Sequence, residues 1–425
     1  MTPTVTAPED RAAHWADELW GAVVAGDEPS AARTAFAALR AGLDTETVLL
    51  DVIGAVQRRV GQEWADNRIT VAQEHAATAI GERVVAALSR PGAPPAAPVP
   101  PSPRTAETRT AAPEPPHEAA PPRRSPAAPR PYPDGSHPHL DGSTPDLVGS
   151  DGGSRPFPDG SRPRPGGSAR PRITVACVDG EWHAFPARLL AEVLSLRGWH
   201  VDFLGAQVPT AHLVAHLHHT GADVVALSGS LATRLPAAHA AISACRAAGV
   251  PVLVGGAAFG PGGRHAELLG ADLWAADARS AATRLTGGPP PRPAAPLADE
   301  PLKHLLDQEY TLVSRASGQL VGATLKGLAD RYPALREYTA PQQQHTAEDV
   351  AHIVAFLAAA LYVDDCELFA AFTSWTNAVL AARHVPTESL LHALHVLGAE
   401  VRDFPRATTM IRRAAELLRA DGPRE

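Results

Sequence analysis

Short apolar runs near Ile173, His200, Val224, Val252 and Leu273 alternate with stretches of helical periodicity across residues 172 to 286, and this alternation restricts the chain more than any other feature. Strand alternating with helix calls for a parallel sheet covered by helices, here five strands in a flavodoxin-like, Rossmann-type order. Gly249 closes one helix before Val250-Pro251 leads into the next strand, as a C-terminal glycine does. In such a sheet the loops leaving the carboxyl ends of the strands form the ligand-binding edge.

Three of these loops carry a pattern. The apolar, β-branched run Ile173 to Val178 leads into Asp179-Gly180-Glu181-Trp182-His183-Ala184-Phe185-Pro186, after which Leu189, Leu190, Val193, Leu194 and Leu196 recur at helical spacing. A lone histidine on a loop is ordinarily a solvated side chain. Here, however, the run Val224 to Leu227 leads into Ser228-Gly229-Ser230-Leu231, and Val252 to Val254 leads into Gly255-Gly256. E-x-H, then S-G-S-L, then G-G, in that order, resembles the cobalamin-binding domain family. The resemblance implies a cobalt corrin whose nucleotide tail is displaced, with His183 as the lower axial ligand of the cobalt and Glu181 fixing the imidazole tautomer. It also implies that Ser228 faces the displaced nucleotide, with Ser230 beside it among the cofactor-binding residues. Gly255 and Gly256 let the backbone approach the tail without side chains in the way. Pro186 departs from the family, which has Gly there, and its ring takes space on the side of the tail.

Residues 9 to 90 read as four helices forming an antiparallel bundle: Arg11 to Ala25, Pro29 to Arg40, Thr45 to Ala65, and a fourth opened by the capping-box pattern Thr70-Val71-Ala72-Gln73. Trp64 is followed, after nine intervening residues, by Glu74-His75. A tryptophan at a helix end is ordinarily core, and a Glu-His pair in a first turn is ordinarily exposed. Together, at this spacing, they resemble the cap of the light-sensing cobalamin proteins of the CarH type. That resemblance implies a bundle over the upper corrin face, with Trp64 packed on the adenosyl group of adenosylcobalamin and Glu74 and His75 on its sugar and base. Ala65 stands where that family carries the histidine that takes the upper site after illumination.

Residues 91 to 171 are rich in Pro, Gly, Ser and Arg and hold too few large apolar residues to offset the entropy of ordering, so a disordered linker spanning roughly 50 Å is expected. A second proline-rich linker, 287 to 300, precedes a wholly helical region over 301 to 420. Thr346-Ala347-Glu348-Asp349 is expected to cap a helix to Leu361, Asp364 to Arg383 to form another, and Pro386 and Pro405 to open two more. Phe356, Phe369, Phe372 and Trp375 supply aromatic bulk for a core or a cavity. This order of parts resembles the photocobilins. It implies a C-terminal globin-like domain that binds biliverdin, for which Arg336, Tyr338, His345, His352 and Arg383 are candidate partners of the propionates and pyrrole N–H groups.

The net charge of −8 and pI near 6.2 argue against a nucleic-acid surface dominated by Lys and Arg. Cys177, Cys245 and Cys366 fit neither a disulfide framework nor a zinc site and read as buried, reduced thiols in a cytoplasmic protein. No apolar run of membrane-spanning length is expected. His212 and His216 share one helix face, but without a carboxylate or cysteine beside them a surface helix is favoured over a metal pair. Three functions compete: a photoreceptor in which light breaks the cobalt–carbon bond, a corrinoid carrier of methyl groups for a methyltransferase, and a heme-based globin sensor. Bulky Trp64 beside Glu74-His75 suits a nucleoside better than a methyl group, and heme leaves His183 unexplained. No catalytic constellation is evident, so the expected output is a light-dependent change of homo-oligomer, or a separate protein, and not an enzymatic reaction.

Overall fold

The computed structural model describes residues 8–89, 170–293 and 302–421, and the linker expected over 91 to 171 lies outside them except for its last two residues. At the N-terminal end, α1 (Pro8–Val24), α2 (Glu28–Arg40), α3 (Thr45–Thr47), α4 (Gly54–Ala65) and α5 (Val71–Leu88) build the bundle. Asp27, Asp44 and Thr70 stand just before helices, and their side-chain oxygens accept otherwise unpaired backbone N–H groups from Ser30, Thr47 and Gln73. Gln73 returns the bond to the Thr70 N–H, completing the capping box.

One local departure from regular helix matters for packing. Between α3 and α4 the segment Val48–Ile53 is a π-helical turn, in which the Gly54 N–H reaches back to the Leu49 carbonyl. Val48, Leu49, Val52 and Ile53 stay in the core of the bundle, while Leu50 packs against both that core and the core of the sheet domain. The bundle is joined to that domain by apolar contact as well as by charge. Phe185 and Leu189 sit in the bundle core, and a Cβ on Gly81 would lie only 3.2 Å from the Phe185 ring. Glu46 receives Arg197 at 2.9 Å and Arg279 at 3.3 Å, and Asp51 receives Arg279 at 2.7 Å.

The sheet has five parallel strands, β1 (Arg172–Cys177), β2 (His200–Gly205), β3 (Val224–Ser228), β4 (Val252–Gly255) and β5 (Leu273–Ala275), in the expected order β2-β1-β3-β4-β5. The helices between and after them are α6 (Phe185–Leu196), α7 (Thr210–Thr220), α8 (Leu235–Ala247), α9 (Arg264–Leu268) and α10 (Ala278–Arg284). The register pairs Cys177 with Ser228 and Ser228 with Gly255, so β1, β3 and β4 end level and their three loops leave from one edge.

The remaining described chain is helical: α11 (Glu309–Arg315), α12 (Ser317–Arg331), α13 (Ala340–Val363), α14 (Cys366–Ala382), α15 (Thr387–Glu400) and α16 (Pro405–Asp421). Helix α13 starts before Thr346 because Thr339 and Gln342 form a capping box of their own, and the Thr346 hydroxyl donates to the Gln342 carbonyl. Contrary to expectation, α13 is long and apolar enough by length and composition to cross a membrane, and half of its apolar window is buried within this fold. Val354, Leu357 and Leu361 place it at the centre of the C-terminal core.

Candidate functional site

The loop after β1 is built around a buried carboxylate. Glu181 is fully inaccessible, and its Oε1 faces both the backbone N–H of His183 at 3.0 Å and the ring Nδ1 of His183 at 2.6 Å. Its Oε2 accepts the backbone N–H groups of Ser230 at 2.7 Å and Leu231 at 2.9 Å, so one side chain ties the first loop to the second. Burial opposes ionisation of Glu181 and is the largest influence on it. The hydrogen bonds from the His183 ring and from the His183, Leu231 and Ser230 amides together outweigh that burial and hold the carboxyl at about 2. Because Nδ1 donates to a carboxylate, the lone pair is on Nε2.

Gly256, with φ of 100°, has a local reason for being glycine: a Cβ there would meet the Gly229 carbonyl oxygen at 2.3 Å. The close approach binds the third loop to the second, with the Ala258 N–H donating to that carbonyl at 3.1 Å. The room that Gly256 makes is therefore taken up, at least in part, by the protein's own backbone. Gly255 is likewise tight, its Cβ position lying 3.0 Å from the Ala275 carbonyl. Ser228 is buried at the end of β3, and Ser230 lines the cleft described below.

On the bundle side, Glu74 is held at the start of α5 by a chain in which Gln57 donates to the Thr78 hydroxyl at 2.7 Å and Thr78 donates to Glu74 at 3.0 Å. His75 Nδ1 lies 2.5 Å from the same carboxylate. The His75 ring is 6.4 Å from that of Trp182, which in turn lies 4.4 Å from that of His183. Trp182 is 52 % exposed and joins the loop of His183 to the bundle, a placement hidden in the sequence because Trp182 is the variable position of E-x-H. Trp64 packs partly on the bundle core and faces the C-terminal helices, with Trp375 at 6.3 Å and the Arg383 guanidinium 5.3 Å from its ring.

A cleft of about 850 Å³ opens between the sheet domain and the C-terminal helices. Its walls include Trp182, Arg234, Tyr310, His352, Phe356 and Phe372, with Trp375 at one side. Phe356 and Phe372 stack at 3.7 Å with their planes 5° apart. Of the expected aromatic group only Phe369 is wholly core. The structure does not gather the five expected tetrapyrrole partners. His352 lines the cleft, but His345 is exposed beside Glu348, and burial together with neighbouring Tyr332 raises the Tyr338 hydroxyl in the turn before α13. Arg383 is engaged with the bundle, and the Arg336 side chain lies outside the described residues. The physical reason is helix rise: at ~1.5 Å per residue, the start of α13 is far along its axis from the aromatic segment. Arg234, which the sequence did not single out, supplies the cleft with a guanidinium; it stacks on Gly180, where a Cβ would meet it at 2.9 Å.

Two further expectations need adjustment. Cys177 and Cys245 are buried, but Cys366 is only half-buried, beside Glu367 and not in the cleft wall. His216 faces Asp202 at 3.6 Å, as His200 does at 3.7 Å, and Arg172 already donates to that carboxylate at 3.0 Å. Among the described residues no group of three His, Cys, Asp or Glu side chains is placed to hold a metal ion. A single imidazole with a free Nε2 lone pair is the donor set suited to a metal that brings its own equatorial ring.

Fold and edge loops thus define a doubly wound α/β protein whose ligand site lies at the carboxyl edge of its sheet. Residues 171–293 match the B12 binding domain family, and residues 15–89 match a second family of the same description, so this is a cobalamin-binding protein with a sheet domain and a helical N-terminal domain. Similar solved structures include the monomethylamine corrinoid protein of Methanosarcina barkeri, at 15% identity over 65% of this chain and 98% of that one, with a TM-score of 0.41. A cobalamin-binding protein from Desulfitobacterium hafniense DCB-2 is 16% identical over 63% of this chain and 96% of its own, with a TM-score of 0.27. The methanol:cobalamin methyltransferase complex of Methanosarcina barkeri is 12% identical over 67% and 84%, with a TM-score of 0.27. No curated protein matches the sequence.

Proposed function

We propose that the protein is a light sensor that binds adenosylcobalamin between bundle and sheet and biliverdin in the adjoining cleft of a globin-like helical domain. The observation that carries this reading is the aromatic cleft of about 850 Å³, whose walls include Trp182 on the His183 loop and Trp375 beside Trp64. A volume of this size suits one flat, largely apolar ligand. When bound, adenosylcobalamin supplies a weak cobalt–carbon bond that light breaks. His183 would hold the cobalt through Nε2, with Glu181 fixing the ring. Ser228, Ser230, Gly255 and Gly256 would border the displaced tail, and Trp64, Glu74 and His75 the adenosyl group. Loss of that group removes their partner, so the bundle loses the affinity difference that favoured its bound arrangement and its population shifts. Arg234 and His352 are the basic side chains of the cleft and the natural partners of the biliverdin propionates.

Absorption spectra of the full-length protein loaded with adenosylcobalamin and biliverdin, before and after green light, test this. A far-red bilin band and a light-driven change in the corrin bands are expected. Stable corrin spectra in light, with tighter binding of methylcobalamin than of adenosylcobalamin, would replace the sensor by a methyl carrier. A heme Soret band without biliverdin binding would remove the bilin half alone.

A further inference from the structure

The C-terminal end of α4 and that of α14 meet at one side chain. Arg383, just after α14, donates through Nη1 to the Ala65 carbonyl at 3.2 Å and through Nη2 to the Trp64 carbonyl at 3.2 Å. Nη1 also reaches the Val379 carbonyl of its own helix at 2.9 Å, and the Asn67 side chain crosses back to the Ala382 carbonyl at 3.4 Å. Helix C-termini carry partial negative charge on their last carbonyls, so two of them face to face repel unless a cation lies between. Arg383 is that cation, and among the described residues no carboxylate lies within ion-pair distance of it. Its planar fork spans two successive carbonyls, which an ammonium does less well. The guanidinium also stands 5.3 Å from the Trp64 ring, and Trp375 supports that ring from α14 at 6.3 Å.

We infer that Arg383 is a positioning residue for Trp64, so that the C-terminal domain completes the upper-ligand site of the corrin. The inference rests on the assignment of Trp64 to the adenosyl side. Trp64, in the last turn of α4, packs only partly on the bundle core, which leaves room for a second element to support both its carbonyl and its ring. Arg383 does both from another domain. Selectivity for the upper ligand therefore depends on a contact far in sequence from either cobalamin-binding segment.

The test compares affinities for adenosylcobalamin and hydroxocobalamin in full-length wild type, Arg383→Met, Arg383→Lys, Trp64→Ala and the Trp64→Ala/Arg383→Met double variant. Arg383→Met keeps the aliphatic stem but loses charge and fork, and is expected to lower the adenosyl preference about fivefold to tenfold. The spectrum of histidine-ligated cobalt should stay unchanged. Arg383→Lys should fall between, and the double variant should match Trp64→Ala, because the arginine acts through the indole. An Arg383→Met protein that keeps the wild-type preference, or loses affinity for both forms alike, overturns the inference while the light-sensor reading stands. A wild type with no preference for the adenosyl form overturns both.

Discussion

Glu181 does more than orient a neighbour, because its two oxygens receive the His183 ring and three backbone N–H groups from two loops. In Glu181→Gln the amide nitrogen must face a backbone donor, leaving N–H groups buried without partners, and the ring loses its anionic acceptor. We expect a loss of roughly 2–4 kcal/mol in folding stability and about a tenfold to hundredfold loss in cobalamin affinity. Denaturant titration and binding titration read the two effects. Unchanged stability would mean that the loops do not depend on this carboxylate. In His183→Ala the histidine-ligated spectrum should vanish; its retention would place the cobalt elsewhere. The thiols offer a check on burial. Burial, with the charge of Glu181 behind it, pushes Cys177 up to about 12, and burial alone pushes Cys245 up to about 12. Both should resist alkylation in the native protein while half-buried Cys366 reacts. Mass spectrometry of the labelled peptides decides it, and early labelling of Cys245 would contradict the packing of α8.

The junction of the third edge loop with α14 turns on Asp365. Asp365 is the N-cap of α14, accepting the Glu367 N–H at 3.0 Å and the Leu368 N–H at 3.3 Å. The same carboxylate meets His265 Nε2 and Arg264, each at 2.8 Å, and the other His265 nitrogen lies 3.1 Å from the Ala258 carbonyl. Asparagine caps helices about as well as aspartate, so Asp365→Asn isolates the charge from the cap. It should cost about 2–3 kcal/mol by leaving Arg264 without its anion and the buried His265 Nε2 with a poorer partner. Asp365→Ala should cost ~1 kcal/mol more through loss of the cap. Equal melting curves for wild type and Asp365→Asn would show that the ion pair adds nothing. The Thr70-Gln73 capping box was readable locally, since both residues act within one turn, whereas Thr346, expected as a cap, lies inside α13, whose box is Thr339 with Gln342. The π turn at Val48–Ile53 was not readable, because no local residue pattern marks it; Leu50 within it packs on both the bundle core and the sheet domain.

At the scale of the whole molecule, the cleft draws its walls from the sheet domain and from the C-terminal helices, so neither half contains the site alone. The guanidinium available for an acidic ligand is Arg234, from the sheet domain. Arg234→Gln is therefore expected to weaken biliverdin about tenfold and leave its dimethyl ester nearly unaffected, since the ester offers no carboxylate. Fluorescence or absorption titration with both ligands measures this. Equal losses for acid and ester would remove Arg234 from the recognition of charge.

Strand and helix alternation was sufficient to specify the five-stranded parallel sheet and its order, because side-chain periodicity and the handedness of crossovers leave few alternatives. The pairing of Glu181 with His183 was also legible, being two residues apart on one loop. What the sequence left open was how distant segments outside the sheet meet one another. Arg383 looked like a ligand-binding cation and instead straps two helix ends, while Arg234, which nothing in the sequence marked out, lines the cleft. Gly256 read as room for a cofactor tail, whereas its tightest neighbour is the Gly229 carbonyl. Local periodicity reports which face of an element is apolar, but not which other element will cover it. That choice is made by packing across the assembled chain, where a side chain's partners are set by three-dimensional neighbours and not by sequence distance.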